Sequence, residues 1–226
     1  MTEHTIKAFD EEMDKLRGMI AEMGGRAESA IENAMLALQR HDKVLAAEVV
    51  ADDKRIDTIE AEVEKLAIEI IALRAPMAND LRDVIAALKI VGVVERIGDY
   101  AKNIAKRVPL LENVGKIEPI SLLAEMARIA TQMVHDVLDA FVERDAEAAV
   151  RVCERDSAVD DFYDSIFRTL LTHMMENPHN IGQSAHLLFV AKNLERVGDH
   201  ATNIAEMVYY AATGEHMADR PGKSPR

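Results

Sequence analysis

The sequence contains little of what builds β-sheets, disulfide frameworks or secreted domains. Its 226 residues include no tryptophan, only 4% aromatic residues and one cysteine, Cys153, which has no partner for an internal disulfide. Strand-forming patterns are nearly absent, whereas Ala, Leu, Glu, Lys and Arg, which favour helices, are abundant. We therefore predict an all-α protein in a reducing, cytoplasmic compartment, with Cys153 as a small buried residue.

Long apolar runs and basic clusters are also missing. Residues 1–18 are charged throughout and lack the apolar core of a secretory signal, and the most apolar stretch, 84–94, is short and contains Lys89. A membrane-spanning helix needs about 20 apolar residues. The net charge of −13, from 40 acidic and 27 basic residues, repels phosphate backbones. We expect neither membrane insertion nor nucleic-acid binding.

A duplicated segment is the strongest positive signal. The string ERIGDYAKNIA at 95–105 returns as ERVGDHATNIA at 195–205, with eight of eleven residues identical. The string DKRID at 53–57 likewise aligns with DSAVD at 156–160. An internal repeat of this length predicts two tandem three-helix bundles, at residues 1–114 and 115–214. The polar residues 215–226 are predicted to form a disordered tail.

Proline, glycine and turn residues divide the chain into six long helices. Breaks are predicted near 41–42, 75–76, 112–119, 144–145 and 177–178. Pro76 and Pro178 are predicted to lie in the first turn of the third helix of each repeat, with Asn177 as an N-cap. Apolar spacing continues across Gly24 and Gly25, so the first helix is predicted to be continuous, with a weak point where it could kink.

Carboxylates form stripes on the second and third helices of each repeat. Glu95, Asp99 and Asn103 follow one another at i, i+4 and i+8, and helix two carries a line that includes Asp53 and Asp57 and continues through 60 and 64. Such like charges repel by a few tenths of a kcal/mol per pair, a cost that a bound cation would reverse. If helices two and three pack side by side, the carboxylates of each repeat converge. The predicted metal ligands are Asp53, Asp57, Glu95, Asp99, Asp156, Asp160, Glu195 and Asp199, with Asn103 and Asn203 as further candidates.

Oxygen-only clusters suit Mg²⁺, Mn²⁺ or iron ions, and carboxylates also accept Zn²⁺. The alternative interpretation is a solvated acidic face, which is common in acidic proteins. The duplicated arginines, Arg96 and Arg196, fit either ion pairing with nearby acids or phosphate binding. No glycine-rich phosphate loop, nucleophile elbow or Cys–His pair occurs in the sequence. We therefore predict no catalytic residues and no enzyme, with a metal-dependent hydrolase as the alternative.

These motifs resemble the PhoU family, the accessory and regulatory proteins of bacterial phosphate-specific ABC transport, over nearly the whole chain. The resemblance rests on MGG at 23–25, DKRID at 53–57, APMANDLR at 75–82 and NLERVGDHATNIAE at 193–206. It implies two three-helix bundles and metal clusters at E/D-x-x-x-D motifs, which map here to Glu95 with Asp99 and to Glu195 with Asp199. It also implies a negative regulator of phosphate uptake and of the phosphate-starvation response. Such a regulator acts as an adaptor between the ATPase subunit of the phosphate transporter and a sensor histidine kinase.

One departure separates the two copies of the motif. Lys106 stands where the second copy has Glu206, so the first site lacks one outer carboxylate and the two sites could differ in metal occupancy. The sequence leaves open whether the chain forms a homodimer and whether it binds phosphate itself.

Overall fold

The structure is a computed structural model and describes residues 2–111 and 119–217. Its helices are α1 (Thr2–Arg40), α2 (Lys43–Arg74), α3 (Asn79–Ala105), α4 (Pro119–Glu143), α5 (Ala146–Glu154), α6 (Asp156–Glu176) and α7 (Ile181–Thr213). Short 3₁₀ turns occupy Val108–Leu110 and Pro178–Asn180. No strand occurs in residues 2–111 or 119–217, so the all-α prediction is confirmed. Helices α1 to α3 form the first bundle, and α4 to α7 form the second.

The turn that connects the first two helices of each bundle has the same structure in both bundles. Asp42 caps α2 by accepting hydrogen bonds from the backbone N–H groups of residues 44 and 45, and Asp145 caps α5 in the same way. The residues before them, His41 and Arg144, both adopt a left-handed backbone, with φ of 54° and 58°. An aspartate at the N-cap satisfies N–H groups that have no helical partner. The predicted breaks at 41–42 and 144–145 are therefore confirmed, and the repeat extends to the backbone angles.

The prediction that prolines start the third helices is wrong. Helix α3 begins at Asn79, three residues after Pro76, because Ala75 and Ala78 adopt left-handed angles (φ 46° and 50°) and form a wider turn. Pro178 starts a 3₁₀ turn, and α7 follows only at Ile181. The predicted N-cap at residue 177 is confirmed for that turn, since its side chain accepts a hydrogen bond from the N–H of His179.

The second helix of the second repeat is interrupted, which the periodicity does not predict. Arg155 separates α5 from α6, and its N–H bonds to the carbonyl of Val152, a tighter spacing than in an α-helix. Its guanidinium pairs with Asp136 of α4 at 2.5 Å. The break therefore lies at a residue that is anchored to the neighbouring helix.

Helix α1 runs without interruption through both of its central glycines, as predicted. A Cβ atom at Gly24 would lie 2.1 Å from Cδ1 of Leu138 in α4, whereas one at Gly25 would meet nothing within 4 Å. Gly24 thus allows α1 and α4, which belong to different bundles, to approach closely. The buried Cys153 also agrees with its predicted structural role.

The two bundles are joined along α3 and α7, which run antiparallel. Arg82 near the start of α3 lies against Gly214 just beyond α7, and Arg107 just beyond α3 lies against His186 near the start of α7. The two copies of the duplicated motif therefore meet at the centre of the molecule. No helix in the described part of the chain combines the length and apolar character needed to cross a bilayer.

A buried carboxylate adds a second link between the bundles. Asp83 of α3 pairs with Arg17 of α1 at 3.2 Å and with Arg144, in the turn after α4, at 3.1 Å. Burial raises the pKa of Asp83, and the two arginines oppose that rise. The three charges thus connect α1, α3 and the second bundle.

Candidate functional site

The duplicated glycine of the ERxGD motif sets the distance between the carboxylate-bearing helices. A Cβ atom at Gly98 would lie 2.8 Å from Cδ1 of Ile56 in α2 and 3.8 Å from Oδ1 of Asp53. At Gly198 the corresponding neighbours are Val159, at 3.3 Å, and Oδ1 of Asp156, at 3.5 Å. Because glycine has no side chain, Asp53 packs against the motif in the first bundle and Asp156 packs against it in the second. The predicted side-by-side packing of helices two and three is thus present twice.

In the first repeat, a lysine joins carboxylates from two helices. Nζ of Lys102 lies 2.5 Å from Oδ2 of Asp53 and 2.7 Å from Oδ1 of Asp99. Asp53 is buried, whereas the Asp99 side chain is 42% exposed. These hydrogen bonds and the charges of both aspartates raise the pKa of Lys102, so the ammonium stays protonated at neutral pH. A positive charge therefore occupies the space between two of the predicted metal ligands.

The remaining carboxylates of the first repeat repel one another. The pKa of Glu95 is raised to about 7, first by burial and then by the charges of Asp99, Glu60, Asp57 and Asp53. The pKa of Glu60 is also raised by burial and by neighbouring acids. All four acids predicted for this repeat therefore belong to one electrostatic cluster, and Glu60 joins them.

The second repeat differs from the first in the burial of its glutamate, since Glu95 is partly buried and Glu195 is buried, and in its counter-charge. Asp156 and Glu195 are buried, Asp199 is partly buried and Asp160 is exposed. Nζ of Lys192 lies 2.7 Å from Oε1 and 2.6 Å from Oε2 of Glu195. At the position equivalent to 102 this repeat has Thr202, whose hydroxyl donates to the carbonyl of Asp199 on its own helix, at 2.8 Å. No lysine of α7 thus takes the bridging position that Lys102 has on α3.

The donor chemistry suits a hard cation, although the structure contains no preformed ligand shell. Within residues 8–111 and 119–217, no three Asp, Glu, His or Cys side chains are arranged as a formed metal site. The carboxylates that converge are nevertheless oxygen donors of the kind that Mg²⁺ and Mn²⁺ prefer. In the first repeat a cation would have to displace the ammonium of Lys102. In the second repeat Lys192 contacts both carboxylate oxygens of Glu195, so a cation that binds there would have to displace an ammonium as well.

One position at which the two copies of the motif differ, Tyr100 against His200, lies at the α3–α7 contact. Tyr100 and His200 pack edge to face with ring centroids 5.1 Å apart. Nδ1 of His200 lies 2.9 Å from the carbonyl oxygen of Arg196, which can only accept, so Nδ1 carries the proton. Nε2 therefore accepts from the Tyr100 hydroxyl at 3.4 Å. Burial lowers the pKa of His200, which favours this neutral form.

The remaining predicted positions, two asparagines and two arginines, have different surroundings. Asn103 is partly buried on α3, whereas Asn203 and Glu206 line a groove between α3 and α7. Arg196 is exposed, and its guanidinium lies 5.9 Å from the ring centroid of Tyr100. Arg96, also exposed, opposes the rise in the pKa of Glu60, in agreement with pairing to nearby acids.

Sequence reasoning missed the residue that most affects the first cluster, Lys102. The signal was present, because Lys102 against Thr202 is one of only three differences between the two copies of the motif. The difference noted instead, Lys106 against Glu206, concerns an exposed lysine and a glutamate of the α3–α7 groove.

Comparison with known proteins assigns the fold and the motifs to a family. The model of the PhoU domain matches this chain twice, at residues 20–108 and 123–208. The chain belongs to the PhoU domain family. The two PhoU domains correspond to the two bundles, and the boundary predicted at 114–115 lies outside the described residues. The tail predicted from 215 is described only as far as residue 217.

Several proteins that match nearly the whole of this chain are described as PhoU proteins. A phosphate-specific transport system accessory protein PhoU homolog of Zymomonas mobilis is 55% identical over 96% of this chain and 92% of its own length. A homolog of the same description from Caulobacter vibrioides is 47% identical over 99% of this chain and 97% of its own length. The crystal structure of PhoU from Pseudomonas aeruginosa is 36% identical, with a TM-score of 0.86, and covers 92% of this chain. PhoU from Streptococcus pneumoniae is 28% identical, also with a TM-score of 0.86. Membership of this family supports a role in the regulation of phosphate transport.

Proposed function

We propose that this protein is a cytoplasmic negative regulator of phosphate uptake and of the phosphate-starvation response. It acts as an adaptor between the ATPase subunit of a phosphate ABC transporter and a sensor histidine kinase. The observation that carries the proposal is the full-length likeness, in both sequence and fold, to phosphate-specific transport system accessory proteins. A duplicated, rigid helical scaffold with polar faces also suits a protein that acts by contact with partners.

Metal ions are part of this proposal, at the acidic faces of both bundles. The ligands would come from Asp53, Asp57, Glu95 and Asp99 in the first repeat and from Asp156, Asp160, Glu195 and Asp199 in the second. A bound divalent ion would neutralise the carboxylates of the first cluster, in which burial and then the neighbouring acids raise the pKa of Glu95 to about 7. A metal ion would have to displace the ammonium of Lys102 in the first repeat and that of Lys192 in the second.

Deletion of the gene tests the regulatory role. We expect a reporter of the phosphate-starvation response to become constitutive in phosphate-rich medium and to be repressed again by the wild-type gene. Normal repression in the deletion strain would refute the proposal. Complementation with Asp156→Asn and Asp199→Asn together, compared with the first-repeat pair Asp53→Asn and Asp99→Asn, tests whether the acidic faces contribute.

Direct binding tests the adaptor role and the assembly state. Purified protein should associate with the transporter's ATPase subunit and with the cytoplasmic part of the kinase, and light scattering of the protein alone would show whether it forms a homodimer. Elemental analysis of the purified protein, together with melting curves with and without Mn²⁺ or Mg²⁺, tests for metal. No bound ion and no shift in the melting temperature would remove metal from the proposal.

A carboxylate-cluster hydrolase is the second candidate, and one observation favours it. Glu95, with a pKa raised to about 7, could exchange protons near neutral pH, as a general acid or base must. Metal-dependent phosphatase turnover that disappears in both Asp99→Ala and Asp199→Ala would support the enzyme. Absence of turnover with a panel of phosphate esters would leave the regulator as the only proposal.

A further inference from the structure

A groove between the start of α3 and the end of α7 lies apart from the bridged carboxylates. It has a volume of about 470 Å³ and is open to solvent on one side. This size is within the usual range of small-molecule pockets. Its walls contain three cations, Arg82, Lys89 and Arg96, and three aromatic rings, those of His200, Tyr210 and His216.

The charge of the groove is opposite to that of the protein. The chain carries a net charge of −13, yet the three cations of the groove are accompanied by a single carboxylate, that of Glu206. A concave surface lined by one sign of charge attracts ligands of the opposite sign. The groove is therefore suited to an anion, even though most of the molecule repels anions.

Arg82 has a buried hydrogen-bond donor that no described residue satisfies. Its Nε atom is buried and has no partner within residues 8–111 and 119–217, whereas Nη2 donates to Oδ1 of Asn79 at 2.5 Å. Gly214 allows the guanidinium to lie at this position, because a Cβ atom there would be 3.2 Å from Cζ of Arg82. Buried donors are normally satisfied. A ligand oxygen would supply the missing acceptor.

The other wall of the groove is flat and apolar. The rings of Tyr210 and His216 stack with centroids 4.8 Å apart and an interplanar angle of 19°. Tyr210 is 38% exposed and Ile85, across the groove, is 37% exposed. A planar ring placed between them would cover apolar surface and extend an existing stack.

Two residues of this groove, Lys89 and Tyr210, are not repeated on the other side of the α3–α7 contact, although Arg96 corresponds to Arg196. Lys89 corresponds to Phe189, and the guanidinium of Arg107 lies 3.8 Å from the centroid of that ring. Tyr210 corresponds to Leu110. The groove is thus a feature of one side only, unlike the duplicated carboxylates.

We propose that this groove binds a nucleoside phosphate. The phosphoryl oxygens contact Lys89, Arg96 and the Nε donor of Arg82, and the base packs between Tyr210 and Ile85. Both halves of the ligand are needed, because the cations select an anion and the flat wall selects a ring. The proposal does not depend on metal binding or on the regulatory role.

Equilibrium binding of a fluorescent ADP carrying an N-methylanthraniloyl group, measured by anisotropy on the full-length protein, tests this assignment. EDTA is present, so that a metal cannot bridge the phosphates to the acidic clusters. Unlabelled ADP should displace the probe, and adenosine and inorganic phosphate should each displace it at least about tenfold less well. Lys89→Gln and Tyr210→Ala should each weaken binding by about tenfold or more, whereas Lys65→Gln, at an exposed lysine of α2, should leave it unchanged. Circular dichroism and melting curves verify that each variant is folded.

Three results would overturn the proposal. The first is no binding of the probe at millimolar protein and ligand. The second is binding that persists unchanged in both Lys89→Gln and Tyr210→Ala, which would place the nucleotide elsewhere. The third is displacement by inorganic phosphate as effective as that by ADP, with no effect of Tyr210→Ala, which would leave no role for the base. None of these results would alter the phenotype of the deletion strain, so the regulatory proposal is tested separately.

Discussion

Replacing Lys102 with threonine will measure how strongly one ammonium holds the first acidic cluster together. Threonine is the residue that the second repeat has at the equivalent position, 202. The substitution removes two contacts, with Asp53 at 2.5 Å and with Asp99 at 2.7 Å. It leaves both carboxylates beside Glu95, whose pKa is already raised to about 7.

The expected loss follows from the burial of the two partners. A hydrogen bond between charged groups contributes about 1.5–3 kcal/mol, which suits the contact with the buried Asp53. An ion pair with an exposed partner contributes about 0.2–1 kcal/mol, which suits Asp99, whose side chain is 42% exposed. In EDTA the free energy of unfolding should therefore fall by about 2–4 kcal/mol. At about 2–4 °C per kcal/mol for a chain of this size, the melting temperature should fall by roughly 5–15 °C.

Urea denaturation followed by circular dichroism, in EDTA and in millimolar Mn²⁺, measures both consequences. The matched control is Lys65→Thr, in which the lysine side chain is 78% exposed on α2 and the helix-propensity change is the same. Mn²⁺ should stabilise Lys102→Thr more than the wild type, because the metal no longer competes with an ammonium. If the two lysine variants are equally stable in EDTA, the bridge contributes nothing. If Mn²⁺ stabilises the variant and the wild type equally, Lys102 does not compete with metal.

Two further predictions concern the contact between α1 and α4. Gly24→Ala should lower the free energy of unfolding by about 1–3 kcal/mol, since the new methyl group would lie 2.1 Å from Leu138. Gly25→Ala should raise the free energy of unfolding by about 0.5–1 kcal/mol, because alanine favours a helix more than glycine does. If urea denaturation shows that both changes stabilise the protein, the close approach of α1 and α4 is contradicted. Burial raises the pKa of Glu28 above its ordinary 4.5, so the folded state holds that proton more tightly than the unfolded state. The stabilising contribution of this group is therefore complete below about pH 4.5 and is lost as the pH rises through the raised pKa. Glu28→Gln should accordingly be more stable, relative to wild type, at pH 8 than at pH 4, by about 1 kcal/mol or less; a pH-independent effect of Glu28→Gln would refute the sign.

Local sequence chemistry predicted the fold well because the signals lie within a few residues of the features they cause. Asp42 and Asp145 cap the helices that follow them, and the apolar seam continues through Gly24 and Gly25 into an unbroken α1. The errors arose where the start of a helix depends on backbone angles, or on contacts with residues that are distant in the sequence. The left-handed angles of Ala75 and Ala78 are unusual for alanine, and they displace the start of α3 beyond Pro76.

The sequence predicted which acids form the candidate site, but not the lysine that neutralises part of their charge. Helical spacing placed the acids on one face and the duplication marked both copies, but the distance between helices was not available. That distance depends on Gly98, which faces Ile56. Only at that separation does Lys102 reach across to Asp53 and neutralise part of the cluster. The difference between Lys102 and Thr202 marked this position in the sequence, but the spacing along α3 did not indicate that the ammonium would contact Asp53 on another helix.

Positions that are identical in the two repeats and positions that differ have different physical roles. Gly98 and Gly198 are identical, and both allow the preceding helix to approach, so they determine the geometry that the bundles share. Lys102 and Thr202 differ, and they produce one cluster bridged by an ammonium and one without that bridge. Residue 102 is one of several charge differences between the clusters, since Glu60 joins only the first and Lys192 contacts Glu195 only in the second. Exchanging the two residues, with Lys102→Thr and Thr202→Lys in one protein, should therefore raise the metal affinity of the first bundle and lower that of the second, each relative to the wild type.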